Sequence, residues 1–230
     1  MKLNYTVSII IPIINEIISL KKTLLIINKI RVKKEFIIIY SEKLTNKRTL
    51  DEINKIKKKY KYLKLFKQKK SYVGGAIMTG IKKCTKKYIV IMASDLETNP
   101  YELKKMIKIS QKFPDSIISA DRWVSGGKFK NYGLLKFLAN FIFQKLLKLF
   151  YKNKILDFTF AYRVYPHKAL KKNKFYELRH GFALEMLLAP IKRGYKVITV
   201  ASTWKSRSEG SSSITLLSYI SYLRVLFKYL

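Results

Sequence analysis

Acidic residues are scarce in this chain: 14 Asp and Glu stand against 48 Lys and Arg in 230 residues, a formal charge of +34. Of the basic residues, 40 are Lys and only eight are Arg. A surface built to read bases or phosphates would use more Arg, because its planar fork suits both targets. The excess therefore predicts non-specific attraction to nucleic acid or anionic lipid, with no specific nucleic-acid partner.

The chain has one cysteine, Cys84, which excludes an internal disulfide framework and fits a reducing compartment. His167 and His180 lack metal-ligand spacing, so we expect no zinc site. No apolar run reaches the roughly 18 to 20 residues that span a bilayer. The first apolar run contains Pro12 and leads directly into Asn15 and Glu16, which argues against a signal peptide. The expected location is the cytoplasm, with the cytoplasmic face of a membrane as the alternative.

Apolar residues make up 48% of the chain, enough for a sizeable core. In the first half, apolar runs rich in β-branched residues alternate with helical patterns. Strands are predicted at 5–13, 35–41, 62–68 and 88–93, and helices at 15–30, 49–60 and 99–113. Residues 72–86 are predicted as a glycine-rich turn, with Gly74 and Gly75, that enters a helix. Such alternation predicts an α/β fold with a mostly parallel sheet flanked by helices.

Two carboxylates, Asp95 and Glu97, stand one residue apart just after the fourth predicted strand. Asn15 and Glu16 follow the first strand, and ligands of parallel sheets bind at the carboxyl ends of the strands. We therefore expect both segments at one edge of the sheet. Paired carboxylates there suit Mg²⁺ or Mn²⁺, which prefer oxygen ligands. The alternative is that the acids only offset the dipole of the following helix.

The second half carries two amphipathic helical patterns that fit either a membrane interface or packing on the core. One has polar residues at a four-residue spacing, and the other ends the chain with a polar seam: Asn140, Gln144, Lys148 and Lys152; Ser218, Ser221, Arg224 and Lys228. Four of the scarce arginines suggest bidentate phosphate or carboxylate binding. They are Arg122, Arg163, Arg179 and Arg207.

Six segments in order resemble the family 2 glycosyltransferases of the GT-A fold, and in particular the polyprenol-phosphate sugar transferase branch. They are VSIIIPIINE, GGAIMTGIKKCTKKYIVIMASDLETNP, DRWVSGG, DFTFAYRVY, GFALEMLLAPIKRGYKVITV and WKSRSEGSSS. The resemblance runs from about Val7 to Ser213. It implies a GT-A domain over residues 1–213 and a C-terminal amphipathic helix over 214–230 that is packed or interfacial.

The resemblance also implies site residues. Asp95 and Glu97 would hold the metal, and Arg207 would lie on a loop closing over the diphosphate. The implied catalytic set is Asp95, Arg207 and Glu185. The implied nucleotide-sugar set is Pro12, Asn15, Glu16, Glu42, Gly74, Gly75, Ser94 and Asp95. Arg122, Lys136, Asn140 and Arg163 would meet the acceptor or a phosphate.

The chain departs from the family pattern at two places. Ala93 replaces the first Asp of the Asp-x-Asp motif, and Glu97 stands where the family often has Gln. The second predicted strand lacks the usual Asp-Asp pair, and Glu42 is the acid nearest to it. Metal affinity and base selection are the properties that these departures affect.

The implied function is an inverting, metal-assisted transfer of a sugar from a nucleotide-diphosphate donor. A polyprenyl phosphate acceptor needs little general base, whereas a glycan hydroxyl needs a carboxylate, for which Glu185 and Asp157 are the candidates. Glu185 could instead pair with Arg179 or Lys192. The alternatives are a catalytically weak nucleotide-sugar binder and a basic nucleic-acid-binding protein. Peripheral membrane association and a homo-oligomer are further expectations.

Overall fold

The structure is a computed structural model that describes residues 5–151, 155–210 and 216–230. The first half alternates strands and helices. In chain order these are β1 (Thr6–Ile13), α1 (Ile17–Asn28), β2 (Lys33–Tyr40), α2 (Lys47–Lys59), β3 (Leu63–Lys67), α3 (Tyr72–Lys83), β4 (Tyr88–Ile91), a 3₁₀ turn (Pro100–Glu102) and α4 (Leu103–Lys112). The bounds agree with the predicted segments to within a few residues, because each element carries its own apolar periodicity.

The second half contains shorter strands and the two amphipathic helices. It consists of β5 (Ile117–Asp121), β6 (Lys128–Lys130), α5 (Leu134–Phe150), β7 (Arg163–Pro166), α6 (His167–Lys171), α7 (Phe182–Lys192), β8 (Val197–Ala201), β9 (Thr203–Lys205) and α8 (Leu216–Tyr229). The predicted polar residue Lys152 and the predicted domain boundary at 213–214 lie outside the described residues.

Seven of the described strands form the main sheet in the order β3-β2-β1-β4-β7-β5-β8. β7 runs antiparallel to both of its neighbours, and the other pairings are parallel. β6 and β9 form a separate two-stranded sheet. The predicted α/β fold with a mostly parallel sheet is therefore confirmed. Because β1 and β4 are parallel neighbours, the segments that follow them emerge at the same edge of the sheet.

Both faces of the sheet are covered by helices. Ile9 and Ile11 of β1 pack with α1, α2 and α4, whereas Ile10 packs with α3, α6 and α7 on the opposite face. Strands buried on both faces need apolar residues at successive positions, which explains the continuous apolar runs in the sequence.

A third apolar cluster joins α5, α7 and α8. Val225 and Leu226 of α8 are buried against Leu184 and Leu188 of α7, so the C-terminal helix packs on the rest of the protein. No helix in the described ranges combines the length and the apolarity needed to cross a bilayer.

Candidate active site

The carboxylate pair lies in a sharp turn just beyond the end of β4. Leu96, between the two acids, has a φ of +64°, a left-handed conformation that is uncommon for a residue with a side chain. The Glu97 N–H donates to Asp95 Oδ1 at 3.1 Å. This turn directs two carboxylates that are two residues apart toward one side, where they share a common partner.

That partner is Arg207. Its Nε donates to Glu97 Oε1 at 2.9 Å, and its Nη2 lies 2.9 Å from the same oxygen and 3.2 Å from Asp95 Oδ2. One guanidinium thus bridges both acids across more than a hundred residues of sequence. A pair of carboxylates that holds a positive group in this way is a suitable place for a cation.

Asp95 is buried, and its electrostatic surroundings favour a positive neighbour. Burial and the nearby Glu97 raise the pKa of Asp95 to about 6, although Arg207 opposes both effects. Glu16, at the end of β1, contributes in the same direction as Glu97. Desolvated carboxylates that repel one another gain most from a bound cation.

The segment that carries Arg207 lies across the amino end of α1. Glu209 accepts hydrogen bonds from the Ile18 N–H at 3.3 Å and the Ser19 N–H at 2.8 Å. Gly210 passes close to the Glu16 carboxylate. Glu209 therefore caps a helix that has no acid of its own in the first turn. Sequence analysis missed this residue, although a scarce acid two positions after Arg207 was a usable signal.

The residues after β1 bind protein groups at this edge. Glu16 Oε2 accepts from the N–H groups of Ile14 at 2.9 Å and Asn15 at 3.1 Å. The Asn15 side chain donates to the Leu44 carbonyl and accepts from the Asn46 N–H. Asn15 thus ties the end of β1 to the loop after β2. In that loop, the exposed Glu42 pairs with Lys67, and Pro12 lies on β1 beside Ile39.

The predicted glycines lie in the first turn of α3, not in a turn before it. A Cβ on Gly74 would lie 2.5 Å from the Glu177 carbonyl oxygen, and one on Gly75 would collide with the carbonyl of Lys70. The space that a side chain would fill is therefore occupied by protein backbone. Ser94, which precedes Asp95, is buried.

Basic side chains gather on the other side of Arg207. Burial lowers the pKa of Lys136, near the start of α5; Arg207 lowers it further, while Glu97 raises it. Burial also lowers the pKa of His180, as do Arg207, Lys136 and Arg179. Lys136 Nζ lies 5.1 Å from the Tyr132 ring centroid. Arg207 and Lys136 thus supply positive charge beside the carboxylate pair, whereas the lowered pKa of His180 favours its neutral form. Sequence analysis did not place His180 near this site.

Arg122 is buried in an ion pair with Asp157. Its Nε and Nη2 donate to the two carboxylate oxygens at 2.5 and 2.9 Å. The guanidinium also lies 4.7 Å from the Phe160 ring centroid. The Asn140 Oδ1 accepts from Trp123 Nε1 at 3.1 Å in the adjoining network. Arg122 follows β5, which runs in the same direction as β4, but its guanidinium is buried against Asp157.

Arg163 and Glu185 are also buried and bound within the protein. Arg163 donates to the carbonyls of Ala183 at 2.6 Å and Phe158 at 2.8 Å, so its guanidinium joins β7 to α7 and the 158 loop. Glu185 pairs with Lys228 of α8 at 2.7 Å, and not with Arg179 or Lys192, the partners given as its alternative role. Its other oxygen accepts the Glu177 N–H at 2.8 Å. The geometry gives both residues structural contacts, because no face of either is open to an acceptor.

The carboxylate pair and the basic segment with Arg207 lie at the carboxyl ends of the strands, where α/β sheets bind their ligands. The family model described as glycosyl transferase family 2 matches residues 8–173, more than half of the chain. The chain therefore belongs to glycosyl transferase family 2, and the protein is a glycosyltransferase.

Solved structures agree on the fold. Glucosyl-3-phosphoglycerate synthase from Mycobacterium tuberculosis, in complex with Mn²⁺, UDP and glucosyl-3-phosphoglycerate, matches with a TM-score of 0.76 and 13% identity, over 99% of this chain and 81% of that one. The same enzyme with Mn²⁺, UDP and phosphoglyceric acid gives 0.76 at 12% identity, over 99% and 79%. With Mg²⁺ and UDP the values are 0.74 and 12%, over 99% and 80%. This likeness establishes the GT-A fold.

Proposed function

We propose that the protein transfers a sugar from a nucleoside-diphosphate sugar to a phosphate-bearing acceptor, and that this acceptor is a polyprenyl phosphate. The observation that carries the donor half is the bridge from Arg207 to Asp95 and Glu97. The bridge brings two carboxylate ligands and the long basic side chain of Arg207 to one point at the carboxyl ends of β1 and β4.

Asp95 and Glu97 suit Mg²⁺ or Mn²⁺. Within the described residues, no group of three or more His, Cys, Asp or Glu side chains forms a fuller metal site. A cation held by two carboxylates would thus complete its shell with water and donor phosphates, as Mg²⁺ commonly does. When bound, it would neutralise the charge that develops on the leaving diphosphate. The structures of the synthase with Mn²⁺ or Mg²⁺ and UDP support this assignment by analogy.

Arg207 is proposed to serve the diphosphate. Its guanidinium satisfies both carboxylates here, so it would turn from them to the donor phosphates when these arrive. A fork of N–H groups suits that bidentate task. Glu16, held by the backbone at the end of β1, would border the nucleotide. In the transfer, an acceptor phosphate oxygen forms the new bond to the anomeric carbon as the donor's bond to the diphosphate breaks, and the diphosphate leaves with the electron pair.

The burial of the candidate bases supports an acceptor that is already an anion. A sugar hydroxyl would need a carboxylate within reach to take its proton. Asp157 is paired with Arg122, and Glu185 is paired with Lys228, each inside the protein. The basic side chain of Lys136 instead offers positive charge within electrostatic reach of Arg207. A phosphate acceptor matches this arrangement, and attack from the face opposite the leaving group would invert the sugar's configuration.

A polyprenyl acceptor would bring the protein to a membrane, and its cytoplasmic face is the proposed location. The second candidate function is a nucleotide-sugar binder with weak catalysis. It is favoured by Ala93, which leaves the motif with one Asp. Family membership leaves no support for the nucleic-acid-binding alternative.

Isothermal titration with a panel of nucleotide sugars, with and without Mn²⁺, tests the donor half. We expect metal-dependent binding that Asp95→Ala abolishes and the exposed control Asp51→Ala retains. Binding that ignores Mn²⁺, or survives in Asp95→Ala, contradicts the site assignment. Mass spectrometry of reactions with a polyprenyl phosphate, phosphoglyceric acid or a neutral glycan then identifies the acceptor. Donor binding without any transferred sugar would favour the weak-binder alternative.

A further inference from the structure

Helix α5 has its polar side toward the protein and its apolar side toward solvent. Gln144 donates to Thr159 Oγ1 at 2.8 Å and accepts the Phe158 N–H at 2.9 Å, and Asn140 accepts from Trp123. The opposite side carries large apolar residues, with Leu135 82% exposed and Leu149 74% exposed. A surface helix of a water-soluble protein normally has the reverse arrangement.

Helix α8 also buries polar residues on its inner side, beside the apolar Val225 and Leu226 that pack on α7. Ser218 and Ser221 are buried: Ser218 Oγ lies 3.1 Å from His180 Nδ1, and Ser221 Oγ accepts the Gly181 N–H at 2.8 Å. Lys228 turns inward to Glu185. The solvent side carries Ile220, Leu223 and Phe227, the last 72% exposed. Ser218, Ser221 and Lys228 of the predicted polar seam therefore bind groups within the protein, whereas Arg224 is largely exposed.

The two exposed apolar faces adjoin one another. The Phe143 and Tyr222 rings lie 5.6 Å apart, and the Tyr151 hydroxyl donates to the Tyr229 carbonyl at 2.8 Å. The first contact joins the middles of the two helices and the second joins their carboxyl ends, so the helices lie side by side in the same direction. We call the combined face the α5/α8 apolar surface. It consists of Leu135, Leu138, Ile142, Leu146, Leu149, Ile220, Leu223 and Phe227.

We propose that the α5/α8 apolar surface docks on an anionic lipid bilayer, with both helices lying in the plane of the interface. Exposed apolar residues on this scale indicate a partner. The length and composition of α5 and α8 suit helices that lie at the lipid headgroup boundary, and neither helix could cross the bilayer. The exposed Lys145 and Lys148 of α5 lie within this helix and would meet the headgroups.

Charge selects the bilayer over the other occupants. A second copy of this chain would bring another +34 to the interface and be repelled. Nucleic acid matches the charge but offers nothing to large aliphatic side chains. Anionic lipid supplies both an opposite charge and an apolar interior, which is the combination that basic amphipathic helices use.

Docking would also orient the active site. Lys136, whose pKa responds to Glu97 and Arg207, lies in the first turn of α5. The mouth of the site would thus sit close to the headgroup level. Membrane docking does not depend on the proposed sugar transfer, because binding to vesicles needs no donor, metal or turnover. The docking proposal and the transfer proposal can therefore fail independently.

The test is co-sedimentation of the full chain with vesicles of phosphatidylcholine containing about 30% phosphatidylglycerol at about 0.15 M NaCl. We expect Ile142→Gln/Leu149→Gln to weaken partitioning by about tenfold or more. Its matched control, Leu25→Gln/Phe113→Gln, removes exposed apolar residues on α1 and after α4, and it should bind like the parent chain. Circular dichroism checks that both variants fold.

A second pair of variants tests the role of charge. Lys145→Glu/Lys148→Glu should weaken partitioning by about tenfold or more, and the control Lys57→Glu/Lys58→Glu on α2 should weaken it much less. The depth of membrane insertion is measured with an environment-sensitive fluorophore attached to the Ile142→Cys variant, with the Leu25→Cys variant as the control. Cys84 is buried, so it will not compete for the label. The fluorescence emission of the label at position 142 should shift to the blue when vesicles are added, and that of the label at position 25 should not.

Three results would each overturn the proposal. One is no binding by the parent chain. Another is binding that both glutamine variants keep equally and that salt alone removes, which is simple adsorption of a basic protein. The third is a dimer in sedimentation velocity that Ile142→Gln/Leu149→Gln dissociates, which would assign the surface to contact between copies.

Discussion

Asp157→Asn is the substitution whose outcome separates a structural from a chemical role for the Arg122 ion pair. The change removes a negative charge that Arg122 contacts at 2.5 and 2.9 Å, with both side chains buried. Burial would raise the pKa of Asp157, but Arg122 outweighs burial and lowers it. The carboxylate is therefore ionised in the folded protein, and its loss leaves a buried guanidinium unpaired.

The expected cost is about 3–5 kcal/mol of unfolding free energy, the usual penalty for breaking a buried pair from one side. Small domains have only about 5–15 kcal/mol in total, so the variant should be markedly less stable. The apolar double variant Arg122→Met/Asp157→Leu should recover much of this loss, because no charge stays buried. Asp115→Asn, in an exposed pair with Lys168, is the control and should leave stability unchanged.

Urea unfolding followed by tryptophan fluorescence measures these differences, alongside turnover of the natively folded fraction. Unchanged stability in Asp157→Asn together with lost turnover would refute the structural assignment. That result would instead support Asp157 as a general base and Arg122 as a phosphate-binding residue.

Three further predictions follow from other contacts. Burial would raise the pKa of Glu35, but hydrogen bonds from Ser8, Lys64 and Thr85 lower it from 4.5 to about 2. The stabilisation from Glu35 is thus complete above pH 4.5 and is lost as the pH falls through 2. In Glu35→Gln, the unfolding free energy measured in urea should therefore vary less with pH over that range, by about 1–2 kcal/mol after solvent screening. The same pH dependence in the variant and the parent chain would contradict this. Gly74→Ala should destabilise the fold by about 1–3 kcal/mol in urea, because its Cβ meets backbone; a gain from helix propensity would show that the backbone yields. Glu209→Ala should cost about 0.5–2 kcal/mol and speed proteolysis next to Arg207, because α1 loses its cap; equal cleavage rates would mean that the contact does not hold the loop.

Much of the fold followed from local patterns in the first half of the chain. The run before Asn15 has apolar residues at consecutive positions, and it forms β1, buried on both faces. The helix after it was recognisable from Leu20, Leu24 and Ile27, which all face the core. Right-handed crossovers then force a parallel sheet, so the edge where Asp95 and Glu16 emerge could be predicted without coordinates.

The second half depended on contacts that no short window contains. β7 is four residues long, too short for a clear periodicity, and it pairs antiparallel with both β4 and β5 in the sheet. Glu209 caps a helix 190 residues earlier in the chain. The scarcity of Arg indicated special roles for Arg122 and Arg163, but their partners were decided by packing.

The residue spacing in α5 and α8 was enough to predict a polar and an apolar side for each, since about 3.6 residues per turn place every third or fourth residue on one side of a helix. Which side contacts the protein depended on residues far away in the chain. Asn140, Gln144 and Ser221 turn inward because buried backbone and side-chain groups there need hydrogen-bond partners, and an unpaired buried group costs more than an exposed leucine. Periodicity defines the faces of a helix, whereas the hydrogen-bonding needs of distant residues set its orientation.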